Sequence, residues 1–310
     1  MPLDTSKPFT RRRALAGRLT ADEIEGPRFR RIFHGVYIRA DVKVTTEVRA
    51  RAVMLIAKDG GYVSHHTAAR LWGGWAPPST DTHISTPGTE SRTERRGIRA
   101  HRSEPGLVPV VRNGIPLAPP SRVFLQLAAE GLSLVDLVAV GDSLVAKGRV
   151  TQQELIDAAA TWGGAGCRRA RRAAGLVRDG VDSVMETRLR LLMVLARLPE
   201  PGVNRILRAH DGSWEYRIDL SYVGILLAVE YEGRQHAESA RQWNSDIRRR
   251  TELEAMGWRI LLVTAEGIYQ HPERTVRDIK NALRDRGVRT TTRRPSVEWY
   301  REFVGEGAAA

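Results

Sequence analysis

The sequence predicts an α/β C-terminal domain, in which helices flank a central mixed sheet, preceded by an α+β N-terminal region. Three observations lead to this prediction. The C-terminal third alternates between helical and extended patterns in the order α-β-β-α-β-α. Near the N-terminus, a helix-capping pattern stands next to a hairpin pattern. A glycine-rich stretch at residues 163–166 separates the two halves, and the 310 residues suffice for a core in each.

Composition narrows the classes of partner. The formal net charge is +13, which indicates a basic surface suited to nucleic acid or to an anionic membrane. The longest apolar run, residues 223–229, is far shorter than the roughly 20 residues of a spanning helix, so we expect no membrane partner. No export signal is visible, and the single Cys167 excludes an intrachain disulfide and a cysteine-based zinc site. We therefore expect a cytoplasmic protein.

The N-terminal segment has the layout of a winged helix. One helix opens at Thr10, and Thr20 with Glu23 forms a capping box for a second. Strands at 29–33 and 36–39 then flank a turn at His34. A helix pair followed by a basic hairpin suits DNA, and five arginines there are predicted to contact phosphates, which gives affinity without sequence choice. They are Arg11, Arg12, Arg13, Arg30 and Arg31.

Helical and extended patterns divide the chain into five predicted segments. Helices are expected at 48–58, 64–72, 121–130 and 134–146, with a strand at 82–86 and a capping box at Thr151. His65 and His66 begin one of these helices, and we expect neither to bind a metal, because no His or Cys stands near them at metal-ligand spacing. The segments are a winged-helix-like region at 1–44, an α+β middle region at 45–165, a linker at 166–183, an α/β domain at 184–288 and a tail at 289–310.

Three acidic residues stand on the two adjacent strands predicted in the α/β domain. Glu230 and Glu232 are two residues apart on one strand and therefore share a face. If the strands pair, Asp219 on the other strand joins that face. Carboxylates are ligands for Mg²⁺ or Mn²⁺, and crowded carboxylates without a cation repel one another. Alternatively, Glu230 and Glu232 form the solvent-facing side of an edge strand.

The spacing Asp219…Glu230-x-Glu232 resembles the PD-(D/E)xK nuclease superfamily, whose fold is that of restriction endonucleases. The resemblance implies that Asp219 and Glu230 hold Mg²⁺ with the Tyr231 carbonyl, and that Glu186 on the preceding helix supports the metal through water. Alternatively, Glu186 pairs with Arg190 one turn on.

Residues 229–236, and the Gly257-Trp258 pair farther on, resemble the branch related to very-short-patch repair endonucleases. The resemblance covers residues 184–283 and adds Asp246 and Arg249 as supporting residues, although Asp246 could instead pair with Arg249 or Arg250. Glu232 departs from the pattern, because it stands where lysine is usual, and it becomes a third ligand or water contact. His236 would then move protons.

The first half of the chain resembles the AbiEi-type antitoxins, which couple a winged-helix DNA-binding domain to a second domain. The matching segments are 33–37, 65–73 and 114–122. The leading hypothesis is therefore a metal-dependent DNA endonuclease guided by its N-terminal region. The alternatives are a non-catalytic DNA-binding regulator of the antitoxin type and, with less support, an RNA-directed nuclease. The oligomeric state is open, with a homodimer as one option.

Overall fold

The computed structural model describes residues 3–87, 95–208, 215–233 and 240–305, without the side chains of 240–247. Contacts divide the chain into two compact units. Unit 1 comprises Met1–Leu132 and Lys147–Arg171, and unit 2 comprises Ser133–Ala146 and Arg172–Ala310. Both contain helices and strands, so the predicted mixed α/β character is confirmed. In the parts of the chain so described, no helix combines the length and apolarity that crossing a membrane requires.

Unit 1 opens with a small antiparallel sheet packed on two short helices. Thr20 accepts a bond from the Glu23 backbone N–H, and the Glu23 carboxylate accepts one from the Thr20 backbone N–H, so the predicted capping box is confirmed. The sheet order is β1-β3-β2. Whether this layout acts as a winged helix stays a prediction. The elements are β1 (Phe9–Thr10), α1 (Arg11–Ala16), α2 (Ala21–Glu25), β2 (Phe29–Phe33) and β3 (Val36–Arg39).

The rest of unit 1 is a five-stranded sheet with helices around it, in the order β6-β5-β4-β8-β7. Of its strands, the sequence predicted only the one at Thr82–Thr86. The others have two to five residues, which is short for recognition of a strand from its period, and this explains why they were missed. The elements are α3 (Thr46–Met54), β4 (Tyr62–Val63), α4 (His65–Leu71), β5 (Thr82–Thr86), β6 (Ile98–Arg102), β7 (Val110–Arg112), β8 (Ile115–Leu117), α5 (Pro120–Glu130) and, after the helix α6 (Leu134–Ala146) of unit 2, α7 (Gln152–Thr161).

The predicted linker at 166–183 contains a helix, α8 (Cys167–Leu176). Gly166 precedes this helix with φ +72°, and a Cβ there would lie 2.2 Å from the Ala128 carbonyl oxygen. Only glycine permits this approach of two backbones. The glycine-rich stretch is therefore a packing feature of unit 1, and it does not simply mark a flexible connection.

Unit 2 is built on a four-stranded sheet in the order β12-β11-β10-β9. The pair β11–β12 is parallel, and the other two pairs are antiparallel. The predicted α-β-β-α-β-α order lacked β9, an edge strand whose residues are largely exposed, and two short helices. The elements are α6, α9 (Val184–Leu195), β9 (Gly202–Arg208), β10 (Glu215–Tyr222), β11 (Leu227–Glu232), α10 (Ala240–Ala255), β12 (Arg259–Thr264), α11 (Ala265–Tyr269), α12 (Pro272–Asp285) and α13 (Val297–Phe303).

Helix α6 packs within unit 2 through a buried ion pair, although the sequence grouped it with the middle region. Asp142 accepts hydrogen bonds from Arg190 Nη2 on α9 (3.0 Å), from Thr187 Oγ1 (2.8 Å) and from the Arg178 backbone N–H (2.7 Å). The side chain of Arg190 is fully buried. The contacts thus attach α6 to the α9 face of the sheet, while the predicted domain boundaries remain predictions.

Candidate functional site

The acidic residues of unit 2 meet where β10 and β11 pair. The ladder pairs Leu220 with Val229, so Asp219 and Glu230 are the next residues along the two strands. Asp219 extends the pairing with its side chain, since its Oδ2 accepts a hydrogen bond from the Tyr231 backbone N–H at 3.0 Å. The expectation that paired strands bring Asp219 beside Glu230 is therefore confirmed geometrically.

Glu186 joins this cluster from the first turn of α9. It is buried, and its Oε2 accepts hydrogen bonds from Asn204 Nδ2 (2.7 Å) and from the Asp182 backbone N–H (3.1 Å). The alternative pairing with Arg190 is wrong, because Arg190 bonds to Asp142 and Glu200. The Asn204 amide thus holds Glu186 in place, and no described Lys or Arg side chain forms an ion pair with this carboxylate.

Glu230 lies at the centre of the cluster, with only 6% of its surface exposed. Its Oε2 accepts a hydrogen bond from Arg249 Nη2 at 2.5 Å, while Oε1 is buried and finds no hydrogen-bond partner among the described residues. The solvent-facing alternative is therefore wrong for Glu230. Glu232, at the end of β11, is exposed and does fit that description.

Burial and mutual repulsion disfavour charge on these carboxylates. Burial raises the pKa of Asp219, and nearby Glu186 raises it further, against the opposing Tyr231 N–H and the guanidinium groups of Arg249 and Arg217. Burial likewise raises the pKa of Glu230, and Arg249 offsets this only in part. Such a cluster favours an added cation, because a divalent ion stabilises the ionised forms.

The two carboxylates fit a metal that keeps part of its water shell. Among the described residues, the groups of three or more side chains with ligand atoms within 4.8 Å of one another all lie in unit 1, so the acidic cluster is not one of them. The ligands that unit 2 would offer to a metal ion are Asp219, the Tyr231 carbonyl and Glu230 Oε1, which has no hydrogen-bond partner among the described residues. Mg²⁺ is commonly bound by one or two carboxylates, with water and phosphate oxygens completing its shell.

Arg249 is the supporting residue that the structure brings closest to the site. Besides its bond to Glu230, it donates from Nη1 to the Arg217 carbonyl at 2.9 Å. The guanidinium is thereby tied to both β10 and β11. The other supporting residue, Asp246, has a side chain outside the described residues, and His236 also lies outside them.

Replacing Asp219 by asparagine is expected to stabilise the metal-free protein at neutral pH. Folding raises the Asp219 pKa above its ordinary 3.8. Between these two pKa values the folded state holds more protons than the unfolded state, so the stability of the protein falls as the pH rises from one value to the other. Asparagine still accepts from Tyr231 but carries no charge. With EDTA, the variant should melt at a higher temperature than wild type at pH 7.5, with a smaller difference at pH 5. Equal differences at both pH values would contradict this account.

The predicted phosphate-binding arginines lie on the surface of unit 1. Arg12, Arg13, Arg30 and Arg31 are exposed, and Arg11 is half-buried. Arg30 donates to the Ala40 carbonyl at 2.9 Å, and Arg11 lies 3.7 Å from Glu25. Four of the five arginines are therefore exposed, and their role in DNA binding stays a prediction.

Sequence reasoning missed a second polar cluster, which lies in unit 1. Four histidines and one glutamate from four elements come together there, and we call them the histidine cluster. The sequence spacing around His65 and His66 did not reveal this cluster, because its other members are distant in sequence. The members are His65, His66, His83, His101 and Glu130.

Comparison with known proteins bears on unit 2 in particular. Residues 193–283 match the model of the restriction endonuclease-like family REase_MTES_1575. Two relatives from Mycobacterium tuberculosis are each 24% identical over 256 residues, which cover 82% of this chain and 92% of the relative. They are Uncharacterized protein MT2308 of strain CDC 1551 / Oshkosh and Uncharacterized protein Rv2248 of strain ATCC 25618 / H37Rv. The strands and helices around Asp219 and Glu230 thus form a restriction endonuclease-like domain.

Proposed function

We propose that this protein is a metal-dependent endonuclease that hydrolyses DNA phosphodiester bonds in unit 2. The observation that carries the proposal is the buried Glu230 Oε1, which lies beside Asp219 in a restriction endonuclease-like domain and has no hydrogen-bond partner among the described residues. A buried acceptor without a donor is costly, and a bound cation would remove that cost.

Asp219, Glu230 and the Tyr231 carbonyl would hold Mg²⁺ or Mn²⁺. The bound metal acidifies a water molecule and offsets the charge that develops on the phosphate. Glu186, held by Asn204, would orient a water molecule at the edge of this site. Glu232 is exposed and would contact water or the metal shell, and we assign proton transfer to His236, as its imidazole chemistry permits.

Arg249 would supply the positive charge that a lysine usually provides in this superfamily. Glu232 occupies the usual lysine position, whereas Arg249 reaches the Glu230 carboxylate from α10. A guanidinium is always charged and binds phosphate oxygens in a bidentate manner. In the metal-loaded protein, Arg249 would therefore be available to the scissile phosphate.

Arg249→Gln is expected to lower the cleavage rate about 100-fold, comparable to the loss of one charge-stabilising donor. Mg²⁺ affinity should stay unchanged or increase, because Arg249 competes with the metal for Glu230. Single-turnover cleavage and Mg²⁺ titration measure the two effects separately. Arg250→Gln is the matched control, since Arg250 lies on the same helix but pairs with Glu254. This variant should cleave DNA at a rate within about twofold of wild type. Weaker Mg²⁺ binding by Arg249→Gln would contradict this assignment.

DNA is the proposed polyanionic substrate, and unit 1 the region that targets it. The net charge of +13 and the exposed arginines near α1 and β2 favour binding to phosphates. The resemblance of unit 2 to very-short-patch repair endonucleases supports a role in cleavage, and the resemblance of the first half of the chain to AbiEi-type antitoxins supports a role in DNA binding. The antitoxin-like alternative predicts binding to one DNA sequence without any metal dependence.

Plasmid cleavage tests the proposal directly. Full-length protein is incubated with supercoiled plasmid and Mg²⁺, Mn²⁺ or EDTA, beside an RNA of matched length. Nicking or linearisation of DNA only with metal is the expected result. Absence of cleavage with both metals, together with an EDTA-insensitive gel shift on one DNA sequence, would replace the nuclease by the regulator. Preferential cleavage of RNA would overturn the choice of substrate.

A further inference from the structure

The histidine cluster joins one strand pair to two helices in unit 1. His83 lies on β5 and His101 on β6, while His66 lies in the first turn of α4 and Glu130 ends α5. The exposed fraction is 1% for His83 and 8% for His66. His83 Nδ1 lies 3.0 Å from His101 Nε2 and 4.0 Å from Glu130 Oε1. The ligand atoms form two overlapping groups that share His83: one with His65 and His101, and one with His66 and Glu130.

Hydrogen bonding within unit 1 does not satisfy this cluster. His66 Nδ1 and Glu130 Oε2 lie 3.3 Å apart, a contact that lowers the Glu130 pKa, yet neither buried atom makes a hydrogen bond of regular geometry to another described residue. Arg99 contacts the other oxygen of Glu130, Oε1, at 3.3 Å. Buried polar atoms are rarely left in this state, so the two atoms indicate a missing partner.

The rings are oriented from outside, as metal-binding histidines are. Ser79 Oγ lies 3.0 Å from His83 Nε2, which leaves Nδ1 facing the cluster. Ser64 Oγ lies 2.9 Å from Nδ1 of the neighbouring His65, whose ring stacks on His101. Hydrogen bonds from the second nitrogen fix the tautomer and the direction of a metal-binding imidazole.

We propose that His66, His83 and Glu130 bind a zinc ion that ties α4 and α5 to the sheet of unit 1. Two histidines and one glutamate form a donor set that suits Zn²⁺. Ligand atoms about 2.0–2.1 Å from a tetrahedral zinc ion lie roughly 3.3 Å apart, which matches the separation of His66 Nδ1 and Glu130 Oε2. His65 and His101 form an overlapping triad with His83, and the experiment separates the two sets.

Zinc content and zinc titration of the full chain test the proposal. Metal-stripped protein is loaded with Zn²⁺ in excess Mg²⁺, which occupies oxygen-ligand sites but does not compete for histidines. Wild type should retain one zinc per chain after desalting, and zinc should raise the thermal midpoint of the stripped protein. Glu130→Gln and His66→Gln should each weaken zinc binding by at least about 100-fold, more than loss of an outer partner costs, and Ser79→Ala by about 10-fold.

His34→Gln is the matched control, because this exposed histidine lies in the β2–β3 turn of the same unit. It should bind zinc as wild type does. His65→Gln should change zinc affinity by less than about 10-fold. Circular dichroism of the metal-stripped proteins shows whether a variant that binds no zinc is still folded. The zinc content of the wild-type protein tests the proposal without any variant. Wild type without stoichiometric zinc, or loss of zinc from His65→Gln but not from His66→Gln, would overturn the proposal. Neither outcome bears on Mg²⁺-dependent cleavage, which is measured separately.

Discussion

Asp219→Ala is expected to lower metal-dependent DNA cleavage by at least about 1,000-fold. The bound metal contributes several kcal/mol of transition-state stabilisation, and each 1.36 kcal/mol corresponds to a factor of ten in rate. Asp219 is one of the two carboxylates that would hold the ion, and it also anchors the Tyr231 backbone whose carbonyl would be the third ligand. Removal of this side chain therefore affects two ligands at once. Cleavage rates at saturating metal, and the metal concentration at half-maximal rate, are the measurements.

Glu215→Gln serves as the control for this experiment. Glu215 lies on the same strand, β10, but pairs with Arg208 on an exposed surface. It should cleave within about twofold of wild type, since exposed ion pairs contribute little. If Asp219→Ala and Glu215→Gln nick plasmid equally, cleavage does not take place at this site and the catalytic assignment fails.

Asp142→Ala is expected to destabilise unit 2 by about 3–5 kcal/mol, the usual cost of removing one partner of a buried ion pair. Arg190 would remain fully buried, with the half-exposed Glu200 carboxylate at 3.2 Å as its carboxylate partner and the Leu176 carbonyl at 2.9 Å as a neutral acceptor. The Arg178 backbone N–H would lose its Asp142 acceptor, and the Thr187 hydroxyl would keep only its longer 3.4 Å contact with the Ser183 carbonyl among the described residues. Urea unfolding followed by circular dichroism measures the change in free energy.

A second arginine–carboxylate pair of unit 2 provides the comparison. Glu298 accepts three hydrogen bonds from Arg172, but both side chains are partly exposed. Glu298→Gln should change the free energy of unfolding by less than about 1 kcal/mol. A loss of that small size for Asp142→Ala would show that α6 is not held by this ion pair. Leu144→Ala on the same helix would then test whether apolar packing holds it instead.

Local signals in the sequence were sufficient to predict a helix or strand where the residues that begin and end it lie within the same segment. The capping boxes at Thr20 and Thr151 both form, and the helices Leu134–Ala146 and Val184–Leu195 have the predicted bounds. The hairpin of β2 and β3 is also confirmed. In contrast, α8 was hidden by its charge run, because four arginines among its ten residues obscure the apolar face.

The acidic pair of the candidate site follows from sequence alone, because strand pairing and a two-residue period determine which carboxylates meet. The sequence does not reveal which of them is buried. Glu230 is covered and Glu232 is exposed, although both point to the same face, because β11 ends at Glu232. The contacts of Arg249 with Glu230 and of Asn204 with Glu186 likewise depend on how α10 and β9 pack, which no local pattern encodes.

By itself, the sequence determined the basic charge, the helix caps, the α/β character and the Asp219–Glu230 pair of this protein. Only the tertiary structure showed that Arg249 lies beside that pair, that α6 is attached to unit 2 and that the histidine cluster exists. The physical reason is the distance along the sequence between the residues that interact. Caps and strand periods depend on residues a few positions apart, whereas His66, His83 and Glu130 are spread over 65 positions and meet only when β5, α4 and α5 pack together.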